Sequence, residues 1–429
     1  MLTRILAPAS LLSTLASTAF GLDVLSVDGS GGPGAFTTIQ AAVDVAQDGD
    51  VILVDSGIYG SFSVDGKALD IAARPSAAPS IDGRIEISGL PASGRVLLSG
   101  LSVFSLLDGN PANDGPALTV SNCAGRVRLQ TCTFAGADNV FQPQDCQGIG
   151  GLDGRTGLEL HNSQTVILSR CTVSGGNGVS HIIGLLCAET TPGGEGGDGI
   201  ASTNTNLVLF SCSVVGGLGG LGGSGGDGGN GVSAQNSNVF VASTNIQGGG
   251  GGFGFDFVAG FGSGGDGGDG IEAPGGSITI GSSFVFGANG GGSGLSSPGE
   301  DGQSLVAGQV TTLESETRVL DTPWAVFDNE ALTLSISGEA GDLALLLIGT
   351  ADIAQAALPF EGLVAVGQPL VLPLGTVGDN GLLVTSVSAG PNPVGVEART
   401  YPLQAAVITT DLAVLIGTSR HATIVSNGL

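Results

Sequence analysis

One eight-residue pattern recurs along the chain and limits the fold more than any other feature. It occupies positions 127–134, 166–173, 207–214, 239–246 and 278–285. Apolar residues alternate within it, as in Val127, Leu129 and Phe134, and this is the two-residue period of a strand with one buried face. A small residue keeps a fixed place: Cys132, Cys171, Cys212, Thr244 and Ser283, at intervals of 39, 41, 32 and 39 residues. Glycine pairs follow at Gly175-Gly176, Gly216-Gly217 and Gly248-Gly249. Upstream, a short strand begins at Gly199-Ile200, Gly231-Val232 and Gly270-Ile271, and a polar turn follows at Asn204-Thr205, Asn236-Ser237 and Gly275-Gly276. Each unit therefore reads as short strand, polar turn, longer strand and glycine-rich loop. A helix needs a period near 3.6 and avoids glycine. One unit alone cannot bury its apolar face; units stacked in parallel can, with equivalent residues ~4.8 Å apart. The expectation is a parallel β-solenoid with the small residues stacked inward.

The segment from Val27-Asp28-Gly29-Ser30 through Pro33-Gly34-Ala35-Phe36-Thr37-Thr38-Ile39-Gln40, followed by Gly49-Asp50-Val51-Ile52-Leu53-Val54 and Gly57-Ile58-Tyr59, resembles the opening of right-handed β-helix proteins of the pectin-lyase superfamily, pectin methylesterases among them. The resemblance covers about residues 24–310. It implies an all-β fold, a right-handed parallel β-helix with an N-terminal capping helix. The residues agree with it. Thr37-Thr38-Ile39-Gln40 fits a capping box. Ile39, Ala42, Val43 and Ala46 share one helical face, and such a helix closes an open end where unpaired strand edges invite aggregation.

Residues 1–21 carry one early basic residue, Arg4, then an apolar stretch, then Ala19-Phe20-Gly21. This is the plan of a secretory signal peptide cleaved after Ala19 or, preferably, Gly21. The mature chain is expected outside the cell, secreted or at the cell surface. No later run is long enough to span a membrane. Export permits disulfides. Cys146 and Cys187 occupy neighbouring inserts and form the candidate pair, whereas the ladder cysteines are expected to remain buried thiols.

Glycine supplies 78 of 429 residues. It lacks a three-residue period, which excludes collagen. Three inserts end alike, at 193–201, 225–233 and 264–272, each beginning 19 residues before its ladder residue. They match the pattern of calcium-binding β-helix repeats, with Asp198, Asp227, Asp266 and Asp269 as candidate ligands, since calcium prefers carboxylate and carbonyl oxygens. Two other readings stand beside calcium: tight turns with positive φ at glycine, and glycine strands packed together in polyproline-II fashion. Phe253, Phe255, Phe257 and Phe261 of the third insert are expected to tuck against the solenoid.

The chain carries 38 acidic and 12 basic residues, a net charge of −26, which argues against nucleic acid as a partner. No Lys or Arg occurs between Cys171 and Thr317. The pectin-lyase resemblance implies, for any lyase activity, a basic group on the solenoid flank, assisted by calcium. The best local cluster of ionisable residues is Asp145, Asp153, Arg155, Glu159, His161 and Arg170. Asp153, Arg155, Glu159, His161 and Arg170 are the candidate catalytic residues, and Asp153 with Glu159 resembles a glycosidase carboxylate pair. The family's Asp-Asp with Gly-His-Gly and its Gly-Arg-Pro-Trp are absent from the sequence.

After Gly308 the glycine density falls and short alternating or apolar runs appear, such as Leu332–Ile336 and Leu412–Ile416, separated by Gly378-Asp379-Asn380-Gly381 and Gly390-Pro391-Asn392-Pro393. Residues 309–429 are expected to form an antiparallel β-sandwich after a β-helix over 22–308. Trp324 is the only tryptophan, so the residues suggest no aromatic platform for sugar. The sequence points to a non-catalytic scaffold or adhesin in contact with polysaccharide or a cell-envelope component. The alternative is a polysaccharide lyase or glycoside hydrolase.

Overall fold

The structure, a computed structural model, describes residues 23–105, 115–138, 152–180, 192–255, 262–293, 296–356, 361–393 and 396–426. The proposed signal segment, Asp145, the Cys146–Cys187 pair, Phe257 and Phe261 lie outside them.

The repeated units wind as rungs of a parallel β-helix with three faces. Face one runs from Phe62–Asp65 through Leu118–Ser121, Leu158–His161 and Ile200–Thr203 to Val232–Gln235. Face two stacks Val24–Val27, Val51–Val54, Asp70–Ala73, Arg95–Ser99, Arg126–Gln130, Thr165–Ser169, Asn206–Phe210 and Asn238–Ala242. Ile271–Gly281 runs through both faces and joins them into one 16-stranded sheet. Face three is an 8-stranded parallel sheet ending at Phe284–Phe286. Equivalent residues pair in register, for example Val127 with Val166 and Leu168 with Leu209. The last rung, Leu305–Thr312, pairs with Ile271–Gly281, so the helix continues to Thr312 rather than Gly308.

The longer strand of the sequence pattern is two strands. It bends at Thr131, Arg170, Ser211, Ser243 and Ser282, all with φ between 43° and 53°. Gln130 and Thr131 both point outward, and this break in alternation marks the corner. The inner residues Val127, Leu129, Cys132 and Phe134 fill one continuous core. The other corner holds Asn122, Asn162, Asn204 and Asn236 at φ 48–53°, a conformation that asparagine tolerates. Behind each corner, small side chains form ladders between rungs. Cys212 N–H donates to Thr244 Oγ1 and Thr244 N–H to Ser283 Oγ, both at 3.1 Å. Ser163, Thr205 and Ser237 repeat the device at the asparagine corner. Cys132, Cys171 and Cys212 are buried free thiols.

The helix Ile39–Val45 buries Ile39, Ala42 and Val43 against the first rungs. Its N-cap is Thr38, which accepts from Ala41 N–H at 3.2 Å. Gln40 does not complete the expected capping box; its Oε1 accepts from Ser63 N–H at 2.7 Å, tying the helix to face one. Lys67, the only lysine, donates to the carbonyls of Val43, Asp44 and Ala46 at the helix end.

The inserts form a second body. Each leaves after face three and returns before face one, and along arms such as 193–199 and 216–223 two glycines alternate with one other residue. This corrects the expectation that glycine lacks a three-residue period: the inserts carry one locally. The hydrogen bonds repeat every three residues: Gly193, Gly196 and Gly199 donate to Ser224, Asp227 and Asn230 of the next rung. The second glycine of each pair bonds across to the opposite arm, as Gly197 to Gly176 and Gly217 to Gly197, both 2.8 Å. A three-residue repeat of extended chain is the polyproline-II arrangement. None of these arm glycines has positive φ, so the tight-turn reading is wrong. Glycine is required for space: a Cβ on Gly217 would lie 1.9 Å from Gly176 O.

The C-terminal domain is a β-sandwich. Leu320–Asp321, Ala331–Ser337 and Leu382–Ser388 make one sheet. Ala325–Phe327, Val414–Val425, Ala398–Ile408, Leu343–Ile348 and Leu370–Thr376 make the other. Leu332, Leu334 and Ile336 meet Leu346, Leu403, Ala405 and Ile424 between them.

Candidate functional site

The sandwich lies against the outer side of face two. Ile167, Val208, Phe210 and Ala242, which point away from the solenoid core, are buried beside Ala365. Val51, Leu53 and Ala72 meet Ala398 and Val425 nearer the N-terminus. Between these apolar patches runs a polar seam. Gln130 Nε2 donates to His421 O at 3.0 Å, and His421 N–H donates to Gln130 Oε1 at 2.7 Å. Arg128, 1% exposed, reaches Asp352 at 3.3 Å, Ser419 Oγ at 2.8 Å and Ser169 Oγ at 3.1 Å. His421 Nε2 sits 3.0 Å from Asp352 Oδ2. Burial pushes the His421 imidazole down to about 4, against the pull of Asp352, so it is neutral at pH 7. Burial also disfavours the Asp352 charge, yet the facing His421 and Arg128 hold that carboxyl well below the usual range.

At one edge of this seam the two domains leave an open cleft of about 410 Å³. The solenoid contributes Thr131 and Arg170, both corner residues on adjacent rungs, whose left-handed backbone turns their side chains toward the sandwich. The sandwich contributes Asp321, Trp324, Thr333, Ser335 and Arg420. Asp321 lies opposite Ser335 in its sheet. Its carboxylate binds Arg170 and stands 3.3 Å from Arg420. Arg170 and Asp321 are 44% and 48% exposed, so both keep faces open to a ligand. Arg420 is nearly buried and anchors the pair, donating to Thr322 O at 3.2 Å. Burial and the neighbouring Arg170 charge lower it to about 10, still charged at pH 7. The cleft thus offers paired donors and acceptors, hydroxyls and an indole within one volume.

The residues singled out from the sequence do not converge. Arg170 belongs to the cleft. Glu159 and His161 share the outer side of face one, 3.5 Å apart. Asp153 lies on the first returning glycine arm, where it accepts from Glu195 N–H at 2.9 Å. Arg155 sits on the same arm, in line with Gly197 of the next rung. The calcium candidates share one structural task. In each arm the third residue of the repeat has an N–H that no glycine carbonyl meets, and the rung before supplies a side-chain oxygen. Asp198 accepts from Asn230, Asn230 from Asp269, and Asp269 from Gln303, at 2.6–2.7 Å. Asp227 and Asp266 do the same one column over. This explains why Asn replaces Asp in the second insert. Burial raises Asp198 to about 6, and the Glu272 and Glu159 charges add to it against the Asn230 hydrogen bond. Among the described residues no three His, Cys, Asp or Glu side chains meet in a geometry that holds a metal ion.

Phe253 and Phe255 do not tuck inward. They are 40% and 39% exposed and stack on each other at 6.5 Å, because only outward positions of the glycine layer have room for a side chain. Asp321 and Arg420 escaped the sequence reading, and Trp324, set aside there as no sugar platform, lines the cleft. The available signal was on face two, where Val166-Ile167-Leu168 and Leu207-Val208-Leu209-Phe210 break alternation. A strand that is apolar on both sides is covered on both sides.

No family model and no curated protein matches the sequence. Among solved structures, pectate lyase Pel9A is similar over 62% of this chain, at 14% identity and TM-score 0.36; the chain spans 65% of that protein's length. The superoxide reductase (neelaredoxin) of Ignicoccus hospitalis is similar over 26% of this chain and 81% of its own, at 11% identity and TM-score 0.15. The receptor binding domain of the Siphovirus 9NA tailspike covers 93% of this chain and 98% of its own, at 9% identity and TM-score 0.16. Nothing about fold or activity is argued from these likenesses; the strand register carries the β-helix by itself.

Proposed function

We propose that the protein is a secreted or surface-exposed scaffold that contacts polysaccharide without cleaving it. The observation behind this reading is the dispersal of the ionisable groups that a lyase or hydrolase would need. Arg170 is engaged by Asp321 at the domain junction. Asp153 satisfies a backbone N–H in the glycine layer. Glu159 and His161 stand on a third surface. General acid–base chemistry needs such groups within hydrogen-bond reach of one reacting bond. The signal-like segment 1–21 supports export, and the long regular solenoid supplies an extended contact surface.

The test incubates the full chain with polygalacturonate and with neutral glycans, with and without calcium, and follows reducing ends and unsaturated products. The expected result is retention on a polysaccharide matrix with no product. Product that disappears in Arg155→Ala or Arg170→Ala protein overturns the proposal.

A further inference from the structure

We infer that the cleft between solenoid and sandwich is a binding site for a neutral hexose unit of a glycan. This inference rests on the polysaccharide contact proposed above and names where and to what chemistry it is made. An acidic sugar suits the cleft poorly. Its carboxylate would have to displace Asp321 from two arginines, and it would approach a chain of net charge −26, whose field repels anions. A neutral sugar needs neither. Vicinal hydroxyls can donate to the open side of the Asp321 carboxylate while accepting from the exposed side of Arg170. The ion pair stays intact, and each hydrogen bond gains from a charged partner. Thr131, Thr333 and Ser335 supply further hydroxyls along the walls. Trp324 supplies apolar surface with a polar N–H, the combination that phenylalanine lacks. The volume of about 410 Å³ falls within the range of small-ligand sites.

The geometry also makes the site a product of docking. Thr131 and Arg170 come from the solenoid and the other walls from the sandwich. A bound sugar therefore bridges the domains and stabilises their contact, as any ligand of the docked form must.

Trp324 is the only tryptophan, so its fluorescence reports the cleft directly. The full chain is titrated with cellohexaose, mannohexaose, isomaltohexaose and hexagalacturonate, with calorimetry in parallel. The expected result is a saturable change in Trp324 emission with a neutral oligosaccharide and none with hexagalacturonate. Asp321→Asn and Thr333→Ala should each weaken that binding at least tenfold. Thr333→Ala removes only a hydroxyl, so it tests the contact even where Asp321→Asn disturbs docking. Emission that responds to hexagalacturonate in preference overturns the neutral-sugar assignment. Calorimetric binding that leaves Trp324 unchanged and survives Thr333→Ala moves the contact elsewhere, overturning the site while sparing the polysaccharide reading. No heat with any sugar overturns both.

Discussion

Alanine at Gly217 should break the glycine layer, whereas alanine at Gly250 should not. The two residues lie on adjacent rungs of the same run of arms. A Cβ on Gly217 would sit 1.9 Å from Gly176 O and 2.6 Å from its carbonyl carbon. Ordinary contact begins at 3.4 Å, so the arms must part by well over an ångström. That movement breaks Gly217 N–H to Gly197 O at 2.8 Å, Gly229 N–H to Gly217 O at 2.9 Å and Gly197 N–H to Gly176 O at 2.8 Å. Each of the three costs about 1–3 kcal/mol when its buried group is left unmet, giving roughly 3–9 kcal/mol for the set. Alanine returns only about 0.4–1 kcal/mol by restricting the unfolded chain. Sterics win, with a net loss of about 2–8 kcal/mol. Gly250 occupies the outward position of the repeat. Its Cβ would meet Leu218 Cδ2 at 3.6 Å and Asn289 O at 3.8 Å, both ordinary contacts. There the entropic term acts alone, and Gly250→Ala should stabilise by up to about 1 kcal/mol. The assay is hydrogen exchange at the arm amides together with guanidinium unfolding, since exchange reads the layer even when the sandwich melts separately. Equal effects at the two positions, or a tolerated Gly217→Ala, would refute the argument that the inserts are a close-packed layer.

The remaining predictions concern buried charge. Arg128→Ala leaves Asp352, 1% exposed, without its cation, and should cost about 3–5 kcal/mol; the measurement is a separate, earlier melting step for the sandwich, and a single unchanged transition counts against the docking described. Burial holds His421 at about 4, below the ordinary histidine value of 6.5. Because its folded value is depressed, its contribution is present above pH 6.5 and is lost as pH falls toward 4, about 3 kcal/mol in all. Wild-type melting should decline over that range, and His421→Gln should decline less; parallel curves would remove the histidine from the account. Asp198 works in the opposite sense. Its value is raised from 3.8 to about 6, so its contribution is present below pH 3.8 and lost as pH rises through 6. Asp198→Asn keeps the acceptor for Asn230 N–H and should raise stability at pH 7 by about 1–3 kcal/mol; a lower melting temperature at pH 7 would show the carboxylate is needed in charged form.

The rung was legible in the sequence because its causes are local. Two-residue alternation, a small residue at each corner and asparagine at the left-handed turn all act within one unit, and stacking identical units follows from the apolar face each leaves open. The glycine layer was also written there, as two glycines in every three, but its reading depended on which partner each N–H finds. Only the stacked arms showed that Asp198, Asp227, Asp266 and Asp269 meet backbone donors of the next rung. The domain junction had no such local cause. Arg128 meets Asp352 across 224 positions and Ser419 across 291, and neither end of those contacts carries a pattern that names the other. The sequence by itself determined a column of β rungs and a second β domain. The tertiary structure alone decided which face the second domain covers, and so brought Arg170, Asp321, Trp324 and Arg420 around one cleft. Pairing within a repeat is dictated by period, whereas docking of two different surfaces is dictated by shape and charge that exist only once both have folded.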